Sequence, residues 1–276
     1  MKIILISQVN PEGLARGEIF RLLASLDGVP DLTLYLVTHD LGADAIKRIK
    51  EAVDDLDLRI VALPQRRSLA ASRNTGLEAA APDLKADDTV VGFPDDDARF
   101  PPGFFPQLRT PDAAASHDVV ATAMGPSPDE PATFYPRTPR PLSVEDAVSI
   151  VSSNTLFVSG RVVRALGGFD CRFGLGAPLN SAEDLDFAIR AVRTGHPAIF
   201  QPGLVVDHPI KPGDRARYYR GNLAVLLKHR DVSRHVHRSA LLRVASGVRM
   251  VLRRQKKPRQ LLKDWATIAH QLRKRA

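Results

Sequence analysis

TVVGFPDDDARFPPGFF, residues 89–105, sets an apolar run (Val90, Val91, Phe93) directly against three adjacent carboxylates, Asp95, Asp96 and Asp97. The β-branched run reads as a buried strand. Adjacent anions repel one another, so an acidic cluster at a strand tip needs a reason. Taken alone, a solvated turn whose aspartates cap the next segment is the plainer explanation. The alternative is a hard divalent cation, which prefers carboxylate oxygen and can also bridge phosphates.

The neighbouring segments favour the second reading by supplying a place for a ligand. KIILIS, DLTLYLVT and LRIVAL are short apolar strand-like runs, and DTVVGF is a fourth. Between them, PEGLARGEIFRLLASL, ADAIKRIKEAVDDL and SLAASRNTGLEAAA carry helical spacing, with Ser68 as N-cap of the last. Strands separated by helices predict βαβ crossovers and a mainly parallel sheet, whose ligands collect beyond the carboxyl ends of the strands. The aspartates occupy such an end. Further on, six prolines between Pro126 and Pro141 predict a loop, one able to cover a bound ligand. SIVSSNTLFVS reads as a strand, RVVRALGGFD as a short helix ended by Gly167 and Gly168, and EDLDFAIRAVRTG as a helix. AIFQPGLVVDHP closes the body.

Composition bounds the class. The chain has 276 residues, 44% hydrophobic and 25% charged, as an ordinary soluble globular protein does. It has no run of apolar residues long enough to span a bilayer. MKIILIS reads as a first core strand rather than a leader, and the single cysteine, Cys171, fits a reducing, cytoplasmic setting. The net charge of +8 hides a division. Residues 1–210 hold 20 Lys+Arg against 28 Asp+Glu, a net of −8, while residues 211–276 hold 19 against 3, a net of +16. The expected organisation is therefore an acidic body over 1–210 and a basic helical extension over 211–276.

Several other residues can carry chemistry. Glu183 and Asp184 open a helix, where acids also simply complement the helix dipole; one of them aimed into a cleft would serve as general base. Asp186 and Arg190, four apart, read as a surface pair. His208 follows a strand, and a lone histidine is more often a structural hydrogen bonder than a ligand. Arg73 and Asn74 either touch phosphate or ribose or pack a helix.

Their order is more specific than any one of them. SRNTGL, FPDDDARFPPGF, GGFD, AEDLDFAIRAVRTGH and VVDHP, spread over residues 1–210, resemble in order and spacing the family 2 glycosyltransferases of the GT-A fold. The resemblance implies an α/β, Rossmann-like sheet flanked by helices and a metal-dependent, inverting transferase of hexosyltransferase type, as used in polysaccharide biosynthesis. It implies Mn²⁺ or Mg²⁺ held by Asp97 and His208, with Asp184 as catalytic base. It places Gln8, Asn10, Thr38, Arg73, Asp95 and Asp96 about a nucleotide-diphosphate sugar donor, Asp95 nearer the ribose. The acceptor implied is a glycan or a lipid-linked glycan. Val9 replaces an aromatic of the family's opening turn, and Thr38 stands at its base-reading aspartate with Asp40 two residues on. UDP, dTDP and GDP therefore all stay open. The processive Gln-X-X-Arg-Trp signature is absent, which favours single sugar transfer.

In the extension, Leu241, Val244, Ala245, Val248, Val251 and Leu252 fall on one helical face, with Arg243, Arg253 and Arg254 opposite and Arg249 at the border. Residues 232–276 thus suit a peripheral position on an anionic membrane surface, the plainer alternative being a helical pair packed on the body. Nucleic acid is not expected, because aromatics are scarce and no recognition motif accompanies the charge. Two other functions stay open on the residues alone: a nucleotidyltransferase, for which SQVNPEGLARG is a poor phosphate loop, and an inactive sugar-nucleotide fold acting as a membrane or polyanion adaptor.

Overall fold

A computed structural model describes residues 1–86, 88–127, 131–209 and 215–274. The opening apolar run forms β1 (Lys2–Val9), and Asn10 leaves it to cap α1 (Pro11–Arg16), accepting the Gly13 amide at 2.9 Å. The one helix expected over residues 11–26 is two. Gly17, at φ 72°, ends α1 and begins α2 (Glu18–Leu26), a left-handed conformation that costs a residue without Cβ little. The alternation continues through β2 (Leu32–His39), α3 (Ala43–Lys50), β3 (Asp57–Leu63), α4 (Leu69–Ala80) and β4 (Thr89–Gly92). Ser68 caps α4 as its sequence predicts. Gly76 lets α4 settle on β1: a Cβ there would lie 2.4 Å from Ile6 Cγ2.

Beyond the aspartates come α5 (Phe104–Leu108), β5 (Val119–Gly125) and the short β6 (Arg140–Pro141). SIVSSNTLFVS is not one strand. It divides into the end of α6 (Val144–Ile150), a 3₁₀ turn at Ser153–Thr155, and β7 (Leu156–Ser159). Next are α7 (Gly160–Leu166), closed by Gly167 at φ 68°, then α8 (Glu183–Val192) and β8 (Ala198–Asp207). Among the described residues the eight strands form one sheet in the order β3-β2-β1-β4-β7-β5-β8-β6. β1 pairs in parallel with both β2 and β4, β2 with β3, and β5 with β8, while β7 and β6 run antiparallel to their neighbours. Chain order reverses direction about β1, so a crevice opens beyond the carboxyl ends of β1 and β4.

The proline-rich loop, of which residues 128–130 lie outside the described residues, packs on β8 through Tyr135, whose ring stacks on Phe200 at 5.9 Å.

The extension folds as α9 (Arg215–Lys228), α10 (Arg234–Leu252) and α11 (Pro258–Arg273). The expected boundary at 210/211 lies outside the described residues. Tyr219, Leu223, Val236, Met250, Leu261 and Ile268 are buried in the same core as Val91 and Phe93 of the sheet domain. Trp265 Nε1 donates to Tyr219 Oη at 2.9 Å, joining α11 to α9. Asp186 and Arg190 are not a surface pair. Asp186 is 0% exposed and binds Arg190 at 2.8 Å, Lys228 at 2.6 Å and His229 at 2.8 Å, fastening α8 to α9. Burial alone would raise its carboxyl, but the His229 hydrogen bond and the Arg190 and Lys228 charges outweigh it and hold the group at about 2. Among the described residues no helix is long and apolar enough to cross a membrane.

Candidate active site

The aspartates follow Phe93, whose ring meets Phe169 edge-on at 4.9 Å and Phe187 at 5.3 Å. The chain is fixed again just beyond them, where Phe100 packs on Phe104 and Phe105 at 5.0 and 4.9 Å. An apolar anchor on each side thus holds the acidic segment at the crevice. Between the anchors, Arg99 and Asp207 form an antiparallel bridge with backbone hydrogen bonds of 2.8 and 2.9 Å, and their side chains pair at 2.6 Å. That bridge sets Asp97 beside His208, with Oδ1 3.0 Å from Nε2. One ligand atom each from Asp95, Asp97 and His208 lies within 4.8 Å of the others.

Arg73 comes up from α4 beneath this group. Its guanidinium is 2% exposed and pairs with Asp95 at 2.9 Å and with Glu183 at 2.8 Å. A buried guanidinium with two carboxylate partners in fork geometry is a fixed strut. Asn154, on the 3₁₀ turn before β7, completes the clamp on Asp95 by donating to Oδ2 at 3.1 Å and accepting the Asp95 amide at 2.7 Å. Asp96 turns instead toward α1. Gly13 leaves room for it, since a Cβ there would sit 2.2 Å from Asp96 Oδ2. Burial, then the charges of Asp97 and Asp95, push its carboxyl up to about 6.

α8 starts at Ala182, which adopts φ 66°, an uncommon conformation for a residue with a Cβ. This turn delivers Glu183 and Asp184 into the same crevice. Burial first, then the Asp184 charge, push Glu183 up to about 7 against the pull of Arg73. Asp184 is raised as well, chiefly by burial, although it reaches the cleft wall. It accepts hydrogen bonds from the Ser153 amide at 3.2 Å and the Leu185 amide at 2.8 Å, which aim the carboxylate. A half-buried, aimed carboxylate with a raised pKa is poised to take a proton.

These groups line one cleft of about 680 Å³, together with Gln8, Asn10 and, from α9, Arg217, Tyr218 and Asn222. Of the residues singled out in the sequence, Gln8, Asn10, Asp95, Asp96, Asp97, Asp184 and His208 share this cleft. Arg73 lies behind its wall as the strut just described. Thr38 is 1% exposed within β2, paired with Val9 and Ala62, and is not among the cleft-lining residues. Strand alternation puts its neighbour His39, itself buried, on the opposite face of the sheet. His39 adjoins the cleft in a side pocket with Gln8, Asn10, Arg66 and Arg67, and contacts Gln8 at 3.3 Å and Ser72 at 3.1 Å. Burial pushes its imidazole down. Among the described residues, none of the proline-rich loop lines the cleft.

Sequence reading missed Asn154, His39, Arg66 and the α9 residues. His39 had a signal, standing next to Thr38 at a strand's carboxyl end. Asn154 had none, being hidden in what looked like an ordinary strand.

Residues 39–161 match the family model described as Glycosyl transferase family 2. Comparison with curated proteins gives no significant match. Among solved structures, the chain is similar to S. aureus TarS 1–349, with 18% identity, TM-score 0.60, and coverage of 82% of this chain and 66% of that one. The same protein in complex with UDP-GlcNAc gives 16% identity and TM-score 0.61, covering 82% of this chain and 67% of that one. Against the longer TarS chain the match spans 40% of its length. The mannosyltransferase PcManGT from Pyrobaculum calidifontis, in complex with GDP-Man and Mn²⁺, matches at 16% identity and TM-score 0.60, over 97% of this chain and 85% of that one. At such identities the structures speak for the fold and the family model for the domain. Residues 39–161 are thus similar to the family 2 glycosyltransferases, and the chain shares the fold of these solved structures.

Proposed function

We propose that the protein is a metal-dependent, inverting glycosyltransferase that moves a single sugar from a nucleotide-diphosphate sugar to a hydroxyl of a glycan or lipid-linked acceptor. The observation that carries this is the convergence, in one cleft, of Asp95, Asp97 and His208 with the raised, aimed carboxylate of Asp184. Two carboxylate oxygens and an imidazole suit Mn²⁺ or Mg²⁺. When bound, such an ion supplies charge neutralisation for a diphosphate leaving group. The UDP-GlcNAc complex of TarS and the GDP-Man and Mn²⁺ complex of PcManGT support a donor and an ion of these kinds.

The remaining work falls to the chain's own groups. Arg73 holds Asp95 and Glu183 in place, so the donor-side and base-side carboxylates keep a fixed spacing. Asp184 takes the proton of the acceptor hydroxyl as that oxygen forms its bond to the anomeric carbon. The bond from that carbon to the diphosphate breaks on the opposite face, its electron pair leaving with the nucleotide. One such displacement inverts the anomeric configuration.

Isothermal titration with UDP, dTDP and GDP, each with Mn²⁺ and with EDTA, on the wild type and on Asp97→Ala, tests the reading. One nucleotide should bind only with Mn²⁺ and lose binding in the variant. A folded protein that binds none of the three overturns it.

A further inference from the structure

α10 docks on the body by its smaller side. Val236, Ala240, Gly247 and Met250 are buried, and a Cβ on Gly247 would lie 2.2 Å from Tyr219 Oη. The larger side chains of the face read from the sequence are largely left outside. Val244 and Val251 touch the core, but Leu241 is 59% exposed, Val248 44% and Leu252 79%. Leu242 on α10 is 59% exposed and Leu262 on α11 62%. Positions 241, 245, 248 and 252 recur at steps of four, three and four, so they form one stripe along the helix. Arg238 and Arg249, both exposed, border that stripe along one edge. α10 contains no acidic residue, and the one acid of α11, Asp264, is turned inward, 2% exposed and paired with Lys256.

An outward leucine stripe bordered by arginines, with no acid among them, has the complementarity of an anionic bilayer. Leucines enter the headgroup–acyl boundary while guanidinium groups meet lipid phosphates. A second copy is the poorer occupant, because pairing two identical stripes brings arginine against arginine in a segment of net charge +16. We propose that the outer face of α10, extended by Leu262 of α11, docks the protein on an anionic lipid surface. α9 contacts both regions, its Arg217 and Tyr218 lining the cleft and its Tyr219 supporting α10, so a docked protein holds its cleft one helix away from the lipid-bound helices. The inference does not depend on the reaction proposed for the cleft.

Co-sedimentation of the full chain with phosphatidylcholine vesicles, with and without phosphatidylglycerol, tests it, alongside Leu241→Gln/Leu252→Gln and Arg238→Glu/Arg249→Glu. Both leucines are exposed in the folded chain, so the first variant should keep its melting temperature. The wild type should bind the phosphatidylglycerol vesicles, release them with added salt, and bind pure phosphatidylcholine weakly. Each double variant should bind at least about tenfold more weakly. No binding by the wild type overturns the proposal. So does binding that the leucine variant retains in full, which would mark a general polyanion surface. Self-association in sedimentation velocity that the leucine variant abolishes, without vesicle binding, overturns it in favour of a dimer.

Discussion

His208 Nε2 lies 3.0 Å from Asp97 Oδ1 although 111 residues separate them. The contact is imposed by the backbone bridge between Arg99 and Asp207, which starts two residues after Asp97 and ends one before His208. A pair placed by main-chain hydrogen bonds does not depend on its own attraction to stay together. Replacing His208 should therefore change what the site binds, not whether the protein folds. Removing groups that only orient metal ligands already costs about 10–100-fold in affinity, and a direct ligand should cost no less. His208→Ala is expected to lower Mn²⁺-dependent nucleotide binding by at least that factor, read by calorimetry, with the melting temperature near wild type.

Asp184 should separate chemistry from binding. Its carboxylate is aimed by the Ser153 and Leu185 amides, and an asparagine keeps the shape and an oxygen acceptor but loses basicity. Asp184→Asn should reduce kcat by roughly 10²–10⁴. Nucleotide affinity should stay within about threefold, since in the proposed reaction the change removes only the proton acceptor. Turnover of the donor selected by the nucleotide titration, beside calorimetry on the same variant, measures both. A parallel loss of affinity would move Asp184 from the reaction to the binding of the donor.

Asp186 carries an expectation about stability and pH. Its folded value of about 2 lies below the unfolded 3.8, so the folded state binds fewer protons between these values. The contribution is present above about 3.8 and is lost as pH falls through about 2. Asp186→Asn leaves Arg190, Lys228 and His229 without their shared buried anion. Breaking one side of a buried pair costs about 3–5 kcal/mol. Urea unfolding should show a destabilisation of that order at neutral pH, with the gap to wild type narrowing on acidification toward pH 2. A constant gap would show that the carboxylate's charge is not what holds α8 to α9.

Gly247 tests the docking of the extension. An alanine Cβ would lie 2.2 Å from Tyr219 Oη and 2.9 Å from Leu261 Cδ1, and Tyr219 is buried and hydrogen-bonded to Trp265. Overpacking of this kind costs about 1–3 kcal/mol. Gly247→Ala should lower the melting temperature, and differential scanning calorimetry would read the shift. An unchanged transition would mean that α10 is held to α9 by less than this contact suggests.

The sequence by itself determined the parts governed by local chemistry. Apolar runs alternating with helical spacing announced the strands and helices of the first half, and Ser68 and Gly167 announced where two helices begin and end. The acidic cluster at the end of β4 and Glu183, Asp184 and His208 stood out by residue type and order, which survive in one dimension, and the structure gathers them into one cleft. Tertiary structure decided what depends on distant partners. Asp186 and Arg190 looked like a surface pair since Lys228 and the buried His229, which meet Asp186, come from the distant end of α9. His39 rather than Thr38 adjoins the cleft, which a list of residues does not show. Arg73 became a strut because α4 brings it between Asp95 and Glu183. The leucine stripe of α10 faces outward because the helix's small residues, Ala240 and Gly247, allow a closer approach to Tyr219 than its leucines would. Periodicity identifies an apolar face, but the shape of the neighbouring surface selects which side of the helix is buried.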